Sequence, residues 1–228
     1  MFSYRDTREG DVRVDVAFTD SSVDLQGLGP RFPAELPRVE EACGVRFARL
    51  HQEHGAEVLV VDEPGPPPLG EVPTADGLVT TTRGVGLMVR VADCVPVLLA
   101  DPDAGVIGAV HAGRAGVALD ITTRALEKMR TAGAERLVAW IGPHVCGGCY
   151  EVPAQLRDEI ADVVPATYAE TTWGTPSLDL GAGTRAQLDA WGVDVLHVGG
   201  CTLEDAGLHS HRRDGAGAGR LAGLVWMS

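Results

Sequence analysis

The spacing of apolar residues changes along the chain, and it predicts which segments form strands and which form helices. Eight short runs rich in Val, Leu and Ile predict strands at residues 12–18, 57–62, 87–92, 95–101, 106–111, 136–142, 194–199 and 221–227. Four longer segments with helical spacing predict helices at residues 36–51, 117–133, 153–164 and 183–191. Because strands and helices do not simply alternate, the pattern favours an α+β fold with a mixed sheet.

One pair of predicted strands is separated by a segment with strong turn preference. Asp-Pro-Asp-Ala-Gly, at residues 101–105, places proline and glycine where a tight turn needs them. The strands at 95–101 and 106–111 are therefore expected to form a hairpin. Its open end, opposite the turn, would bring Cys94 and His111 near each other.

Composition and charge limit the classes of function. A chain of 228 residues that is 45% hydrophobic suits one domain over residues 1–228, with the proline-rich stretch at 62–70 as a surface loop. No apolar run approaches the roughly 20 residues of a membrane helix, and the polar start does not resemble a signal peptide. We therefore expect a cytoplasmic protein without a membrane partner. The net charge of −13 also disfavours nucleic acid as a partner. Monomer and homodimer are both compatible with the sequence.

The cysteines point to reduced thiols. Five cysteines without a signal peptide argue against a disulfide framework. Cys146 and Cys149 form a Cys-x-x-Cys motif, but a structural zinc site normally needs two further ligands, of which His144 could be one. The favoured interpretation is two reduced cysteines on a glycine turn.

Histidine and cysteine also occur at the edges of predicted elements. His51 and His54 precede a strand, Cys94 begins the hairpin, and His111 ends it. Two imidazoles and one thiolate form a good zinc set with a fourth position open for water. The spacing is equally compatible with three unrelated structural residues. Asp76 could orient a ligand or relay a proton, but a turn cap is the favoured interpretation.

A positively charged segment follows Cys201. His209, Ser210, His211, Arg212 and Arg213 are consecutive, and arginine suits phosphate or carboxylate. An exposed loop of solvated charges is the alternative interpretation. Arginine abundance is not itself a cue, because Lys128 is the only lysine among the 19 basic residues.

Six motifs in order resemble the laccase-domain family, also known as the polyphenol oxidase or YfiH-like purine nucleoside phosphorylase family. They span nearly the whole chain and are Gln52-Glu53-His54-Gly55, Ala92-Asp93-Cys94-Val95-Pro96, His111-Ala112-Gly113, Ile141-Gly142-Pro143 with Tyr150-Glu151-Val152, Cys201-Thr202, and Ser210-His211-Arg212-Arg213-Asp214. The resemblance implies mixed β-sheets packed between helices, in α/β/β/α layers as in CNF-toxin-like cysteine hydrolases. It also implies a zinc ion held by His54, Cys94 and His111.

The implied activity is that of a zinc-dependent purine nucleoside phosphorylase acting on adenosine, inosine, guanosine or methylthioadenosine with phosphate. Arg213 is then expected to hold phosphate, with Arg212 and Ser210 in support. Asp93 would orient a ligand or relay a proton, and adenosine deamination would be a side activity of the same centre. The family's Trp-Arg after His-Ala-Gly is Arg114-Ala115 here, which shifts an arginine that we expect to contact substrate.

The sequence is compatible with three alternative functions. A copper-dependent polyphenol oxidase needs many histidines for its copper cluster, and the chain has only seven. A non-enzymatic metal- or anion-binding regulatory module would close its metal site with a fourth protein ligand. A thiol hydrolase would use Cys94 with His111 as a nucleophilic pair and would survive metal removal.

Overall fold

A computed structural model of the protein describes residues 1–27 and 29–228. The first strands are β1 (Phe2–Arg8), β2 (Val14–Thr19), β3 (Arg46–Ala48), β4 (Val58–Val60), β5 (Gly77–Thr80), β6 (Val85–Val91) and β7 (Val95–Asp101). The later ones are β8 (Val106–Ala112), β9 (Val138–Ile141), β10 (Tyr168–Glu170), β11 (Pro176–Leu178), β12 (Asp194–His197) and β13 (Leu221–Met227). The α-helices are α1 (Phe32–Cys43), α2 (Arg114–Ala118), α3 (Ile121–Thr131), α4 (Ala154–Val163), α5 (Leu180–Ala190) and α6 (His211–Asp214).

Two mixed sheets form the centre of the molecule. One has five strands in the order β1-β2-β13-β6-β3, and the other has six in the order β12-β9-β7-β8-β5-β4. Most neighbours are antiparallel, but β3 with β6, β4 with β5, and β9 with β12 are parallel. The expected α+β class with mixed sheets is confirmed.

The core lies in three apolar layers. Phe18, Leu98 and Trp140 belong to a buried cluster between the two sheets. Phe32 of α1 packs with Phe47 and other residues on the outer face of the five-stranded sheet, and α3 and α5 cover the outer face of the six-stranded sheet. This order of helix, sheet, sheet and helix confirms the expected layering.

The hairpin predicted at 95–111 is present. All seven residues of β7 pair with β8, and Pro96 lies opposite His111. Gly105, with φ of 64°, supplies the left-handed conformation that the turn requires. The other predicted strands also form, with shifts of a few residues at their ends.

Two predicted helices have the wrong extent. The helix expected at 36–51 ends at Cys43, because Gly44 adopts φ of 70° and donates back to the carbonyls of α1; Arg46–Ala48 is then strand β3. The helix expected at 117–133 is interrupted, since Asp120 in the left-handed region starts a new helix and accepts from Thr123 N–H. The pattern also missed β1, β5, β10, β11, α2 and α6, most of which are short.

Within the described residues, none of the helices has the length and hydrophobicity needed to cross a membrane.

Candidate metal and substrate site

Three side chains meet at the open end of the β7–β8 hairpin. Cys94 directly precedes β7, His111 lies near the end of β8, and His54 comes from the loop before β4. Their ligand atoms all lie within 4.8 Å of one another. The two imidazole rings are 4.8 Å apart, edge to face. The structure therefore brings together the three residues expected to bind metal and leaves His51 out of the group.

Asp76 fixes the geometry of this group. Its Oδ1 lies 2.7 Å from His111 Nδ1, and its carboxylate also accepts backbone N–H groups from Glu53, His54 and Gly55. The side chain is fully buried. The sequence favoured a turn cap for Asp76, but its contacts match the alternative, an aspartate that orients a neighbouring ligand. One carboxylate thus orients an imidazole and holds the loop that carries the second one.

The three side chains strongly influence each other's protonation. Burial alone would raise the pKa of the Cys94 thiol, but hydrogen bonds and positive charge from His111 and His54 lower it to about 6. Burial opposes protonation of His111, but Asp76 and Cys94 raise its pKa to about 9. Burial likewise opposes ionisation of Asp76, yet His111 and the backbone amides lower its pKa. The group therefore favours a thiolate, which is the form that binds metal.

The backbone around the group has little room to change. A Cβ at Gly113 would lie 2.5 Å from His54 Cδ2 and 3.3 Å from Cys94 Sγ. His54 itself has φ of 65°, which is uncommon for a residue other than glycine. Strained positions of this kind cluster at functional sites, where surrounding contacts maintain them.

The group opens into a cavity of about 930 Å³. This volume lies within the roughly 300–1,000 Å³ of typical small-molecule sites. Two acidic residues line it, Glu71 and Asp93. Five arginines line it as well: Arg49, Arg90, Arg114, Arg212 and Arg220. A chain with net charge −13 thus carries a locally cationic cavity, which suits an anionic ligand.

One wall carries Arg49, Arg90 and Arg220, at the ends of the adjacent strands β3, β6 and β13. The guanidinium groups of Arg49 and Arg90 lie over the ring of Phe32, at 5.4 and 5.5 Å from its centroid. Among the described residues their buried Nε–H groups lack hydrogen-bond partners. Burial, with Arg49 and Arg220 nearby, lowers the pKa of Arg90 to about 10.

Arg114 and Arg212 also line the cavity that Cys94 and His111 open into. Arg114 begins α2, three residues after His111, and Arg212 lies with its guanidinium 5.1 Å from the centroid of the Tyr150 ring. Arg212 donates to the carbonyl of Glu151 at 3.0 Å. Burial raises the pKa of Tyr150, so its hydroxyl remains protonated. Arg114 is therefore exposed to the cavity despite its shifted place in the motif.

Asp93 connects the segments around the group. Its carboxylate accepts from Thr202 Oγ1 and from the backbone N–H of Arg212, both at 2.6 Å, and its carbonyl accepts from Val145 N–H. Its φ is 86°. Both carboxylate oxygens are thus engaged, so the geometry favours a positioning role over the proton relay expected from sequence.

Arg213 and Ser210 have structural partners instead of cavity positions. The Arg213 guanidinium donates to the carbonyls of Thr202, Asp205 and Leu208 and to the carboxylate of Asp214, which engages all five of its N–H groups. Ser210 is buried and caps α6 by accepting from Arg213 N–H. Their expected roles in phosphate binding have no support in this geometry.

The Cys-x-x-Cys motif lies apart from the His54 group. The sequence offered His144 as a further ligand of this motif. Its Nδ1 instead forms a hydrogen bond with the carbonyl of Gly142, and its ring stacks on that of His197. Cys201 and Glu204 are the residues that approach Cys146 and Cys149. The sequence pattern did not indicate this grouping of four residues.

Comparison with known proteins agrees with the motifs. The family model described as multi-copper polyphenol oxidoreductase laccase matches residues 34–228. The chain belongs to this family. Its metal-binding candidates, the five arginines of the cavity and the Asp93 contacts all lie within the matched range.

Members of the laccase family with similar sequences carry a different name. A Streptomyces coelicolor relative, 52% identical over 82% of this chain and 78% of its own, is named purine nucleoside phosphorylase. A Mycobacterium bovis relative of the same name is 46% identical over 97% of this chain and 90% of its own. YlmD from Geobacillus stearothermophilus has a similar structure, with a TM-score of 0.81 and 28% identity over 93% of this chain and 91% of that one.

Proposed function

We propose that this laccase-family protein is a zinc-dependent purine nucleoside phosphorylase and that residues 1–228 act as one catalytic domain. The observation that carries the proposal is the cluster of His54, Cys94 and His111 opening into a cationic cavity. The relatives named purine nucleoside phosphorylase support the same activity. Adenosine, inosine, guanosine and methylthioadenosine are the proposed substrates, with phosphate.

The residues present fit a zinc ion. His54, Cys94 and His111 provide two imidazoles and one thiolate, and Asp76 leaves the Nε2 of His111 as its ligand atom. Gly113 provides space beside them that a Cβ would fill. When bound, the ion would act as a Lewis acid, and three protein ligands leave it a position open to substrate.

Arg114 and Arg212 are the proposed phosphate contacts. Both line the cavity, and a guanidinium binds phosphate through paired, charge-assisted hydrogen bonds. Tyr150 lies beside Arg212 and offers a protonated hydroxyl. Asp93 keeps Arg212 in place through its backbone N–H. These residues counter the repulsion that a chain of net charge −13 exerts on phosphate.

The proposed reaction replaces one bond at C1′ of the ribose with another. An oxygen of phosphate forms a bond to C1′ while the bond from C1′ to N9 of the purine breaks. The electron pair of the broken bond remains on the base, which is released after protonation. The sugar leaves as its 1-phosphate, which is ribose 1-phosphate for adenosine, inosine and guanosine. Arg114 and Arg212 contribute by orienting the phosphate oxygen toward C1′.

The second ligand cluster favours this activity over copper oxidase chemistry. An oxygen-reducing copper cluster needs several imidazoles. Over residues 1–27 and 29–228, the other group of close metal ligands consists of three thiols and a carboxylate. The described chain therefore offers one imidazole-containing metal centre, which suits a single zinc ion.

The test measures base release from adenosine and inosine with and without phosphate. Free base and ribose 1-phosphate are expected only with phosphate and only in the metal-loaded protein. Ammonia release from adenosine reports the proposed deaminase side activity. Turnover of a phenol with copper and no base release would contradict the proposal, and base release that survives chelation would identify a thiol enzyme instead.

The matched variants are two cysteine substitutions. Cys94→Ser is expected to abolish base release and to remove the metal of this cluster. Cys43→Ser is the control, because Cys43 belongs to neither group of metal ligands. An active, zinc-loaded His54→Ala/Cys94→Ala/His111→Ala variant would place the chemistry elsewhere.

A further inference from the structure

A second group of metal-binding side chains lies outside the substrate cavity. Cys146, Cys149, Cys201 and Glu204 place three sulfur atoms and one carboxylate oxygen within 4.8 Å of one another. In a tetrahedral zinc site, Zn–S bonds of about 2.3 Å separate two sulfur ligands by about 3.8 Å. Small side-chain movements would therefore let the four atoms surround one ion.

A tight glycine turn brings the first two cysteines together. The backbone N–H groups of Cys149 and Tyr150 both donate to the carbonyl of Cys146 at 3.0 Å. A Cβ at Gly147 would lie 2.7 Å from the Cβ of Asp179, so the turn requires glycine there. Backbone hydrogen bonds close the turn, and Ser177 Oγ donates to the carbonyl of Gly147 at 2.6 Å. The two thiols are not needed to hold the turn together and can bind a ligand.

The third cysteine arrives from a distant part of the chain. Residues 144 and 201 form an isolated parallel bridge, in which Thr202 N–H donates to the carbonyl of His144 at 3.0 Å. The backbone N–H of Cys146 also donates to Cys201 Sγ at 3.4 Å. Backbone pairing therefore fixes Cys201 against the glycine turn.

Arg213 holds the turn that presents the fourth ligand. Asp205 N–H donates to the carbonyl of Cys201, which closes a turn that includes Glu204. The Arg213 guanidinium donates to the carbonyls of Thr202 and Asp205 on the same turn, at 2.9 and 3.1 Å. The exposed Glu204 lies on the solvent side of the three thiols, where a carboxylate can complete a site without being buried alone.

The chemistry of the four groups suits a divalent metal. Three thiols and a carboxylate are ligands that zinc accepts in structural sites. A bound zinc ion displaces the thiol protons and compensates the negative charge of the thiolates.

We propose that Cys146, Cys149, Cys201 and Glu204 form a second zinc site with a structural role. Four protein ligands close a site, whereas the three of the His54 cluster leave a position open. The ion would join residues 144–152 to residues 199–214. Both segments form hydrogen bonds to Asp93: Val145 N–H from the first, and Thr202 Oγ1 and Arg212 N–H from the second. The first segment carries Tyr150 and the second carries Arg212, and both side chains line the cavity. The second ion would thus stabilise the segments that position Tyr150 and Arg212 in the cavity wall.

The test is the metal content of the full chain, purified under reducing conditions and loaded with zinc alone. We expect two zinc ions per chain in the wild-type protein. Cys146→Ser/Cys201→Ser and Cys94→Ser/His111→Ala are each expected to retain one. Cobalt loading gives a second readout, because the site retained by Cys94→Ser/His111→Ala has three thiolates and should show the stronger thiolate-to-cobalt absorption. Both measurements are independent of turnover, so they do not depend on the proposed reaction.

Glu204→Gln keeps the test decisive if the double cysteine variant fails to fold. This exposed substitution is expected to weaken the second zinc ion in a chelator competition and to leave the circular dichroism spectrum unchanged. Cys43→Ser should retain both ions. One zinc ion per wild-type chain, retained by Cys146→Ser/Cys201→Ser, would overturn the proposal. So would an intact mass two hydrogens lower after zinc loading, with the disulfide mapped among these three cysteines.

Discussion

Asp76 and His111 form a buried pair in which the carboxylate Oδ1 lies 2.7 Å from the imidazole Nδ1. The same carboxylate accepts the backbone N–H of His54 at 3.0 Å. The two histidines of the proposed zinc site are therefore oriented by one residue that does not itself belong to the cluster. Such indirect contacts commonly decide how tightly a metal is held.

Asp76→Asn is expected to weaken zinc binding. An amide cannot provide the same acceptors to His111 and to the 53–55 backbone, and losing an orienting partner of a metal ligand typically costs about 10- to 100-fold in affinity. Chelator competition measures the change. Asp101→Asn is the control, since Asp101 is also buried and accepts several backbone N–H groups but lies away from the cluster. Equal zinc affinity in wild type and Asp76→Asn would contradict the assignment.

Gly113→Ala is expected to reduce zinc affinity without unfolding the protein. The new Cβ would lie 2.5 Å from His54 Cδ2, so the exposed imidazole must move away from Cys94 and His111. Metal ligands tolerate displacements of only about 0.5 Å, so a loss of about tenfold or more is expected. Gly217→Ala is the control, because its Cβ meets nothing within 4 Å and it is not adjacent to a proposed ligand. Unchanged zinc affinity in Gly113→Ala would show that His54 is not a ligand.

Substitutions of Arg212 and Arg213 are expected to have different effects: the first on phosphate binding and the second on thermal stability. Arg212→Met removes a proposed phosphate contact, and because a charged hydrogen bond contributes about 1.5–3 kcal/mol, the KM for phosphate should rise about 10- to 100-fold. Arg213→Met should leave that KM unchanged. It should instead lower the Tm by several degrees, because the carbonyls of Thr202, Asp205 and Leu208 lose their donor. The reverse pattern would return the phosphate role to Arg213.

Arg90 is expected to contribute to an anion site, so that phosphate raises the thermal stability of the folded protein. Arg90 shares its wall with Arg49 and Arg220, and the ion pairs of the described residues include none of the three. A bound anion stabilises the folded state, so phosphate should raise the Tm of the wild type more than that of Arg90→Met. Arg124→Met is the control, since Arg124 is exposed and also donates to one carbonyl. Equal shifts in wild type and Arg90→Met would exclude an anion at this wall.

The parts of the fold that depend on local sequence could be predicted. The β7–β8 hairpin is encoded by two apolar runs and the turn between them. The end of α1 was mispredicted although Gly44 marks it, because Phe47 and Leu50 continue a helical spacing. Arg46–Ala48 becomes a strand through pairing with β6, about 40 residues later in the chain. Such distant pairing leaves no local pattern.

The same reason explains which site residues were found. His54, Cys94 and His111 could be predicted because their residue types and motifs indicate metal binding. Asp76 is separated from His111 by 35 positions, and an aspartate before glycine also fits a turn. Arg90 gave no signal, since a chain that uses arginine as nearly its only cation makes each one inconspicuous.

The positions of two proposed zinc ligands, Cys94 and His111, depend on the lengths of the hairpin strands β7 and β8. Val95 lies opposite Ala112 and Pro96 opposite His111, so Cys94 stands one position beyond the end of the ladder. An extra residue in the turn at 102–105 would leave both ligands in place. An extra residue within β7 would turn the side chains on one side of the insertion to the opposite face of the sheet. Cys94 would then no longer lie beside His111. We therefore expect natural relatives to vary the hairpin at its tip and to keep the length of its stem.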